Sequence, residues 1–311
     1  MIKPKRLKKG DTVGVVTPAS PIDSSRLRRG IERLQGWGYK VKIHPSAYSR
    51  RGYLAGEDYA RAQALNEVFA DEEVDAIFCA RGGYGSVRIL PQIDYDNIKR
   101  NPKIFLGYSD ITSLHLAIYR KTRLVSFLGP MVQTELSKRM PIYNRDSLLN
   151  ALSDKTSRVP LRNPKGMGSW RILRGGVAEG ILLGGNLTLI AMLAGTPYMP
   201  ELKGKILFIE DTDEEPSSID GMLFQLKLAG LLDKISGLVI GQFTNCKPTK
   251  SGRPSLSITQ ILRDVLAGTD YPVIYNFACG HGRYICTLPL GVRARIDTEK
   301  RMFTLLESGV M

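Results

Sequence analysis

Lys103-Ile104-Phe105-Leu106-Gly107-Tyr108-Ser109-Asp110 reads as a short apolar strand that breaks at a glycine, with a helix beginning near Ile111. A run of this length, closed by a turn and followed by helical periodicity, is the unit from which parallel sheets are made. A serine on so sharp a turn is pushed clear of the backbone, with helix amides beside it to receive negative charge. Capping the helix Ile111–Tyr119 is the plainer job for Ser109. These residues alone leave a nucleophile and a cap both open, with the cap favoured.

Outward from this stretch the same unit recurs. Strand-like runs at Thr12–Thr17, Lys40–Ile43, Asp75–Ala80, Lys103–Gly107 and Leu124–Leu128 alternate with helical patterns at Ser24–Trp37, Glu57–Ala70, Ser86–Gln92 and Ile111–Arg120. The alternation predicts an α/β domain over residues 1–153, built on a parallel sheet of the flavodoxin-like or Rossmann-like kind. Ser109, the Arg81–Gly85 turn and the Pro18–Pro21 turn then project from the carboxyl edge, where such sheets bind ligands. Polar, basic, Gly/Pro-rich sequence over 154–176 reads as a connector. Residues 177–311 carry helices at Leu187–Ala194 and Ser217–Leu231 and strands ending near Ile209, Phe243 and Phe277. Short β runs follow at Ile285–Leu288, Arg293–Asp297 and Arg301–Leu306. They predict a second, β-rich domain.

Three histidines make the search for a base short. His44, before Pro45, belongs to an exposed loop. His115 sits on the helix after Ser109 among Ile111, Leu114 and Ile118, a partly buried packing residue carried away from the serine tip. His281 stands in Cys279-Gly280-His281-Gly282-Arg283, after the apolar run Pro272–Phe277. Its flanking glycines free the backbone and keep bulk from the imidazole, which suits a general acid/base. Glu210 closes the run Lys205–Ile209 and opens Glu210-Asp211-Thr212-Asp213-Glu214-Glu215-Pro216. Glu214 and Glu215 fit the start of the next helix; an oxygen-rich loop can also hold a hard cation, but no EF-hand pattern appears and no His lies nearby, so no metal is expected. Only Glu210 is attached directly to the strand, so it is the candidate to orient His281.

Composition narrows the class. The formal net charge of +14 invites a nucleic-acid reading, but the cations are spread over Lys3–Lys9, Arg26–Arg29, Arg50-Arg51, Lys99–Lys103 and Arg293–Arg301. No recognised nucleic-acid motif accompanies them. A solvated basic surface, attractive to anionic substrates, is the expectation. No run of about 18 apolar residues suggests a membrane helix, and the basic start lacks the apolar core of a signal peptide. A cytoplasmic protein is expected. Cys79, Cys246, Cys279 and Cys286 show no paired spacing, so reduced thiols are expected, with no disulfide and no zinc site. Gly82-Gly83-Tyr84-Gly85 lacks the full dinucleotide pattern, and no cofactor is called for.

Ser109, Glu210 and His281 fall in the order Ser…Glu…His, each where a strand gives way to a loop. With Val13–Pro21 (VGVVTPASP), Ala80–Ser86 (ARGGYGS), Gly107–Thr112 (GYSDIT), Gly184–Leu187 (GGNL), Phe208–Asp211 (FIED) and Gly280–Gly282 (GHG), the chain resembles the LD-carboxypeptidase family of serine peptidases. That family includes the microcin C self-immunity hydrolases. The resemblance covers nearly the whole chain and implies Ser109 as nucleophile, Glu210 as acid and His281 as base. It also implies a barrel-like second domain, a homodimer, and a murein tetrapeptide whose terminal D-alanine is released. The amides of Gly83 and Asp110 are the expected oxyanion donors, Tyr84 a pocket residue and Arg81 a ligand for a substrate carboxylate. If the substrate is instead a peptidyl or aminoacyl nucleotide, Trp170 would stack its base. A non-enzymatic nucleic-acid binder is the distant alternative.

Overall fold

Short strands flanked by helices need both faces covered, and the first half of the chain meets that need in sequence order. It runs β1 (Thr12–Val16), α1 (Ser24–Gly36), β2 (Lys40–Ile43), α2 (Asp58–Ala70), β3 (Ala76–Cys79), α3 (Ser86–Ile89), α4 (Tyr95–Arg100), β4 (Ile104–Gly107), α5 (Thr112–Thr122), β5 (Ser126–Leu128) and α6 (Ile142–Leu152). The computed structural model describes residues 1–153, 157–249 and 254–311. β3, β4 and β5 are buried along their whole length, as parallel strands sandwiched between helices are. Through its first five strands the sheet has the order β5-β4-β3-β1-β2, all parallel. This is the flavodoxin-like order, whose switch point lies between β1 and β3. Neighbouring β1, β3 and β4 therefore set the Pro18–Pro21, Arg81–Gly85 and Ser109 turns side by side.

The second half runs β6 (Pro160–Leu161), β7 (Arg171–Arg174), β8 (Val177–Asn186), α7 (Leu187–Leu193), β9 (Lys205–Thr212), α8 (Pro216–Leu228), β10 (Gly237–Thr244), α9 (Ile258–Val265), β11 (Val273–Tyr275), β12 (Leu288–Leu290), β13 (Arg293–Asp297) and β14 (Met302–Leu305). Eight of these strands form an open sheet, curled into a half-barrel, in the order β6-β14-β13-β8-β9-β10-β11-β7. Its centre, β8 to β11, is parallel, with α7, α8 and α9 as crossovers. Antiparallel strands flank it on both sides. One continuous apolar core runs through both sheets, and α5 packs against α7 and β8 where they meet. Among the described residues no helix is long and apolar enough to cross a membrane.

Three expectations change. The run near Ile285–Leu288 is not part of the second sheet. The strand there is β12, which pairs antiparallel with β5 at the edge of the first sheet, Leu288 opposite Leu128 and Leu290 opposite Ser126. Pro289 has no N–H to donate, which suits an edge strand with no further neighbour. The stretch read as a connector, 154–176, also carries strands: its described part supplies β6 and β7, the two edges of the second sheet; residues 154–156 lie outside the described residues. His44 is not exposed: its ring accepts from the Ser46 amide and meets Glu67 at 2.9 Å. Helices α4 and α6, too short or too weakly periodic to read from sequence, complete the first half.

Candidate active site

β4 ends at Gly107, and the chain turns so sharply that Ser109 takes a left-handed φ of 63°. For a residue with a Cβ this conformation is uncommon and strained. It lifts the hydroxyl out at the start of the helical turn that leads into α5. His115 braces the turn from below rather than facing away. The imidazole is fully buried, donates from Nε2 to the Gly107 carbonyl (2.8 Å) and accepts from Ser126 Oγ at Nδ1 (2.8 Å). Burial pushes its pKa down to about 4, so it stays neutral.

Glu210 lies in β9, directly beside Asn186 at the end of β8. Its carboxylate is wholly buried, and its Oε2 accepts from Nδ1 of His281 at 2.7 Å. The second oxygen, Oε1, has no hydrogen-bond partner among the described residues. His281 Nε2 sits 2.9 Å from Ser109 Oγ. An ionised carboxylate only accepts, so the proton belongs on Nδ1 and the Nε2 lone pair faces the serine O–H. Burial alone would lower the His281 pKa, but the hydrogen bond and charge of Glu210, with Asp211 and Glu135 beyond, leave it above its ordinary value. Gly280, at φ 129°, has to be glycine, since a Cβ there would come within 2.8 Å of the Glu210 carboxylate.

The Gly-rich turn after β3 closes over Ser109. A Cβ on Gly82 would sit 3.0 Å from Ser109 Cβ and 3.3 Å from the Asp110 amide. The glycine thus leaves open the space in front of the hydroxyl. Among the described residues neither the Gly83 nor the Asp110 amide donates to a protein group. Gly83 itself takes φ 113° against Ser20, where a Cβ would collide with the Ser20 hydroxyl. The buried Asp110 side chain accepts from the amides of Gly85 and Ser86 (3.3 and 2.9 Å), tying this turn to the serine turn. Burial raises its pKa against those same hydrogen bonds. Sequence reasoning used only the Asp110 amide and missed this side chain, although the D of GYSDIT was in view.

Other candidates fall differently. Arg81 hydrogen-bonds the carbonyls of Gly82 and Pro21 (both 3.2 Å), so its guanidinium stiffens the turn. Tyr84 stands at the rim, 40% exposed, edge-on to Tyr53. Trp170 is packed into the core at 5% exposure and presents no open ring face. In the acidic loop, Asp211 is held by Asn186 and Thr188, Asp213 by Asn245, and Glu215 by the Thr249 amide. Cys279, the other nucleophile considered, is fully buried with its thiol pKa pushed well up.

Three positioning side chains were not anticipated. Tyr108 packs its ring against His281 at 4.9 Å between centroids and donates its hydroxyl to Glu135 at 2.9 Å. Asn144, on α6, donates to the Arg283 carbonyl and accepts from the Ile285 amide (3.2 and 3.0 Å), pinning the loop that follows His281. A cavity of about 600 Å³ opens beside Tyr108 and His281, walled by Glu135, Lys138, Arg139, Asn144 and Arg283 among others. A buried carboxylate, an oriented imidazole and a raised serine within one hydrogen-bond chain can perform acyl transfer.

The chain matches the LD-carboxypeptidase N-terminal domain over residues 13–129 and the LD-carboxypeptidase C-terminal domain over residues 179–296. A probable murein peptide carboxypeptidase of Bacillus subtilis is 40% identical over 320 residues, spanning 99% of this chain and 95% of the relative. A mutant microcin C7 self-immunity protein MccF, solved in complex with adenosine monophosphate, superposes with a TM-score of 0.90 at 30% identity over all of both chains. A muramoyltetrapeptide carboxypeptidase from Oxalobacter formigenes gives 0.83 at 28% identity, over 94% of this chain and 97% of that one. Matched in both halves by the family and along nearly its whole length by its relatives, this chain belongs to the LD-carboxypeptidase family.

Proposed function

We propose that the protein is a serine-type carboxypeptidase that releases the terminal D-alanine from murein tetrapeptides, for the recycling of cell-wall peptides. The observation that carries this reading is the chain Ser109–His281–Glu210, with links of 2.9 and 2.7 Å, on a serine in left-handed conformation. His281 takes the proton of Ser109 as its oxygen attacks the carbonyl of the penultimate residue. The amides of Gly83 and Asp110 receive the oxyanion, a contribution worth about 10²–10³ in turnover per donor. His281 then protonates the departing amine and later activates the water that frees the acyl group. Glu210 holds the imidazole in the useful tautomer and stabilises its charged form. The same reading carries a homodimeric, cytoplasmic enzyme, which sedimentation and cell fractionation test.

The alternative keeps the chemistry and changes the substrate to a peptidyl or aminoacyl nucleotide, as the likeness to a microcin C7 self-immunity protein suggests. Against it, the aromatic proposed to stack a base, Trp170, is buried. The deciding experiment incubates the purified protein with a murein tetrapeptide in the presence of EDTA and follows free alanine by mass spectrometry. Release of D-alanine is expected, and its loss in a folded Ser109→Ala variant. Turnover by that variant at the parental rate would end the assignment of Ser109. Inactivity of the parent on the peptide, with cleavage of an aminoacyl nucleotide, would shift the substrate. Salt-sensitive nucleic-acid binding with neither activity would return the reading to a basic binding protein.

A further inference from the structure

The cavity beside His281 has a chemistry that the hydrolytic steps do not use. Lys138, Arg139 and Arg283 stand exposed on its walls, and Met140, Ile142 and Ile285 supply an apolar lining. Among the described residues none of the three cations pairs with a carboxylate, while Arg283 lies over the Tyr284 ring at 5.4 Å. The one acid on the wall, Glu135, is spent: it accepts from the Tyr108 hydroxyl, the Met131 amide and the Thr134 hydroxyl. Three like charges around a concave surface repel one another, and an anionic ligand relieves that cost through charge-assisted hydrogen bonds. Asn144 fixes the backbone on both sides of Tyr284, so the stretch of main chain that carries Arg283 is held relative to His281.

The position of the cavity says which part of a substrate meets these charges. The proposed oxyanion donors stand beside Gly82 and Ser109, whereas the lining of the cavity includes the imidazole and the Tyr108 ring and none of Gly82, Gly83 and Asp110. That imidazole must protonate the departing amine, so the leaving group lies at the cavity mouth. In a leaving amino acid the carboxylate carbon is two bonds from that nitrogen, within reach of a flexible Lys or Arg. An endopeptidase has no use for a cation there, because its leaving group continues as a peptide chain.

We propose that Lys138, Arg139 and Arg283 bind the free carboxylate of the departing amino acid and so make the site an exopeptidase site. The proposal rests on the carboxypeptidase reading above and adds the residues that select a chain end. Its ligand class is a small apolar α-amino acid unit with a free carboxylate.

The test compares a tetrapeptide acid with the same peptide carrying a carboxyl-terminal amide. In the parent, kcat/KM should favour the acid by about 10²-fold or more, as a site built for a charged group rejects its neutral analogue. In Lys138→Gln/Arg139→Gln/Arg283→Gln that ratio should collapse to within several-fold of one, with most of the loss in KM for the acid. An unchanged ratio in the triple variant overturns the proposal. Calorimetric binding to Ser109→Ala proteins, with and without the three substitutions, reads the same preference without turnover. Tight binding of the acid, lost with the charges, in a parent that releases no alanine would uphold the anion site and overturn the carboxypeptidase reading. No binding of the acid to Ser109→Ala overturns the carboxylate site. Binding of adenosine monophosphate in place of the acid, lost on the same substitutions, assigns the pocket to a phosphate-bearing leaving group and overturns the carboxylate assignment.

Discussion

At the scale of the residue, the site turns on one buried charge. Glu210 is fully buried, its Oε1 is unpartnered, and among the described residues the only group that answers its charge is the His281 imidazole at 2.7 Å. Replacing it with glutamine keeps the shape and removes the charge, so the imidazole loses both its tautomer and its stabilised cation. We expect Glu210→Gln to lower kcat by about 10³–10⁴, as the loss of the acid does in related triads. The pH profile gives the independent check. In the proposed mechanism neutral His281 is the base, and its pKa lies above the ordinary value of about 6.5 because the hydrogen bond and charge of Glu210, with Asp211 and Glu135 beyond, together outweigh burial. Activity therefore falls as pH drops through a point above that value in the parent. In Glu210→Gln the opposing carboxylate is gone, burial dominates and the fall moves to lower pH; a profile that does not move would show that Glu210 does not tune the base. Ser109, Glu210 and His281, which the fold brings into one hydrogen-bond chain, were each marked in the sequence by a short motif at or just past the apolar run of a strand. Tyr108–Glu135 and the Asp110 side chain were not, since their partners lie about 25 residues away in sequence and only the folded turn brings them together.

At the scale of the element, α6 is the piece that pins the loop of the proposed base. Asn144 makes two hydrogen bonds to the backbone after His281, and Ser147, one turn on, accepts from the Thr287 amide at 2.7 Å. Asn144→Ala leaves the buried Ile285 amide unmet, which costs about 1–3 kcal/mol, and frees the part-buried Arg283 carbonyl. Thermal unfolding should register that loss, and kcat should fall because His281 is less firmly presented; a variant with lower stability but full kcat would detach α6 from catalysis. The strands of the first sheet were readable because full burial on both faces leaves continuous apolar runs. α6 was not, since its apolar positions are too irregular to declare a face. β12 was misplaced for a different reason: three residues containing a proline carry no mark of which sheet edge they will join.

At the scale of the whole molecule, the two halves are stitched twice, by the core shared between α5 and the β8–α7 corner and by β12 lying on the edge of the first sheet. Neither sheet can come apart without exposing the other, so unfolding should be one event. The two tryptophans make this measurable, for Trp37 follows α1 in the first half and Trp170, buried, directly precedes β7 of the second sheet. Single-tryptophan variants Trp37→Phe and Trp170→Phe should report the same denaturant midpoint; separated midpoints would show that the halves melt independently. The two-sheet plan was legible from the alternation of elements, whereas the crossing of β12 depends on long-range pairing that no local pattern encodes. That crossing also sets an order of events during synthesis. As the chain leaves the ribosome, β5 waits with an open edge for a strand made roughly 160 residues later, a template for wrong partners. The segment that covers this edge follows directly on the loop bearing His281, so the proposed base and the cover for this edge arrive together, and a truncated translation product has neither.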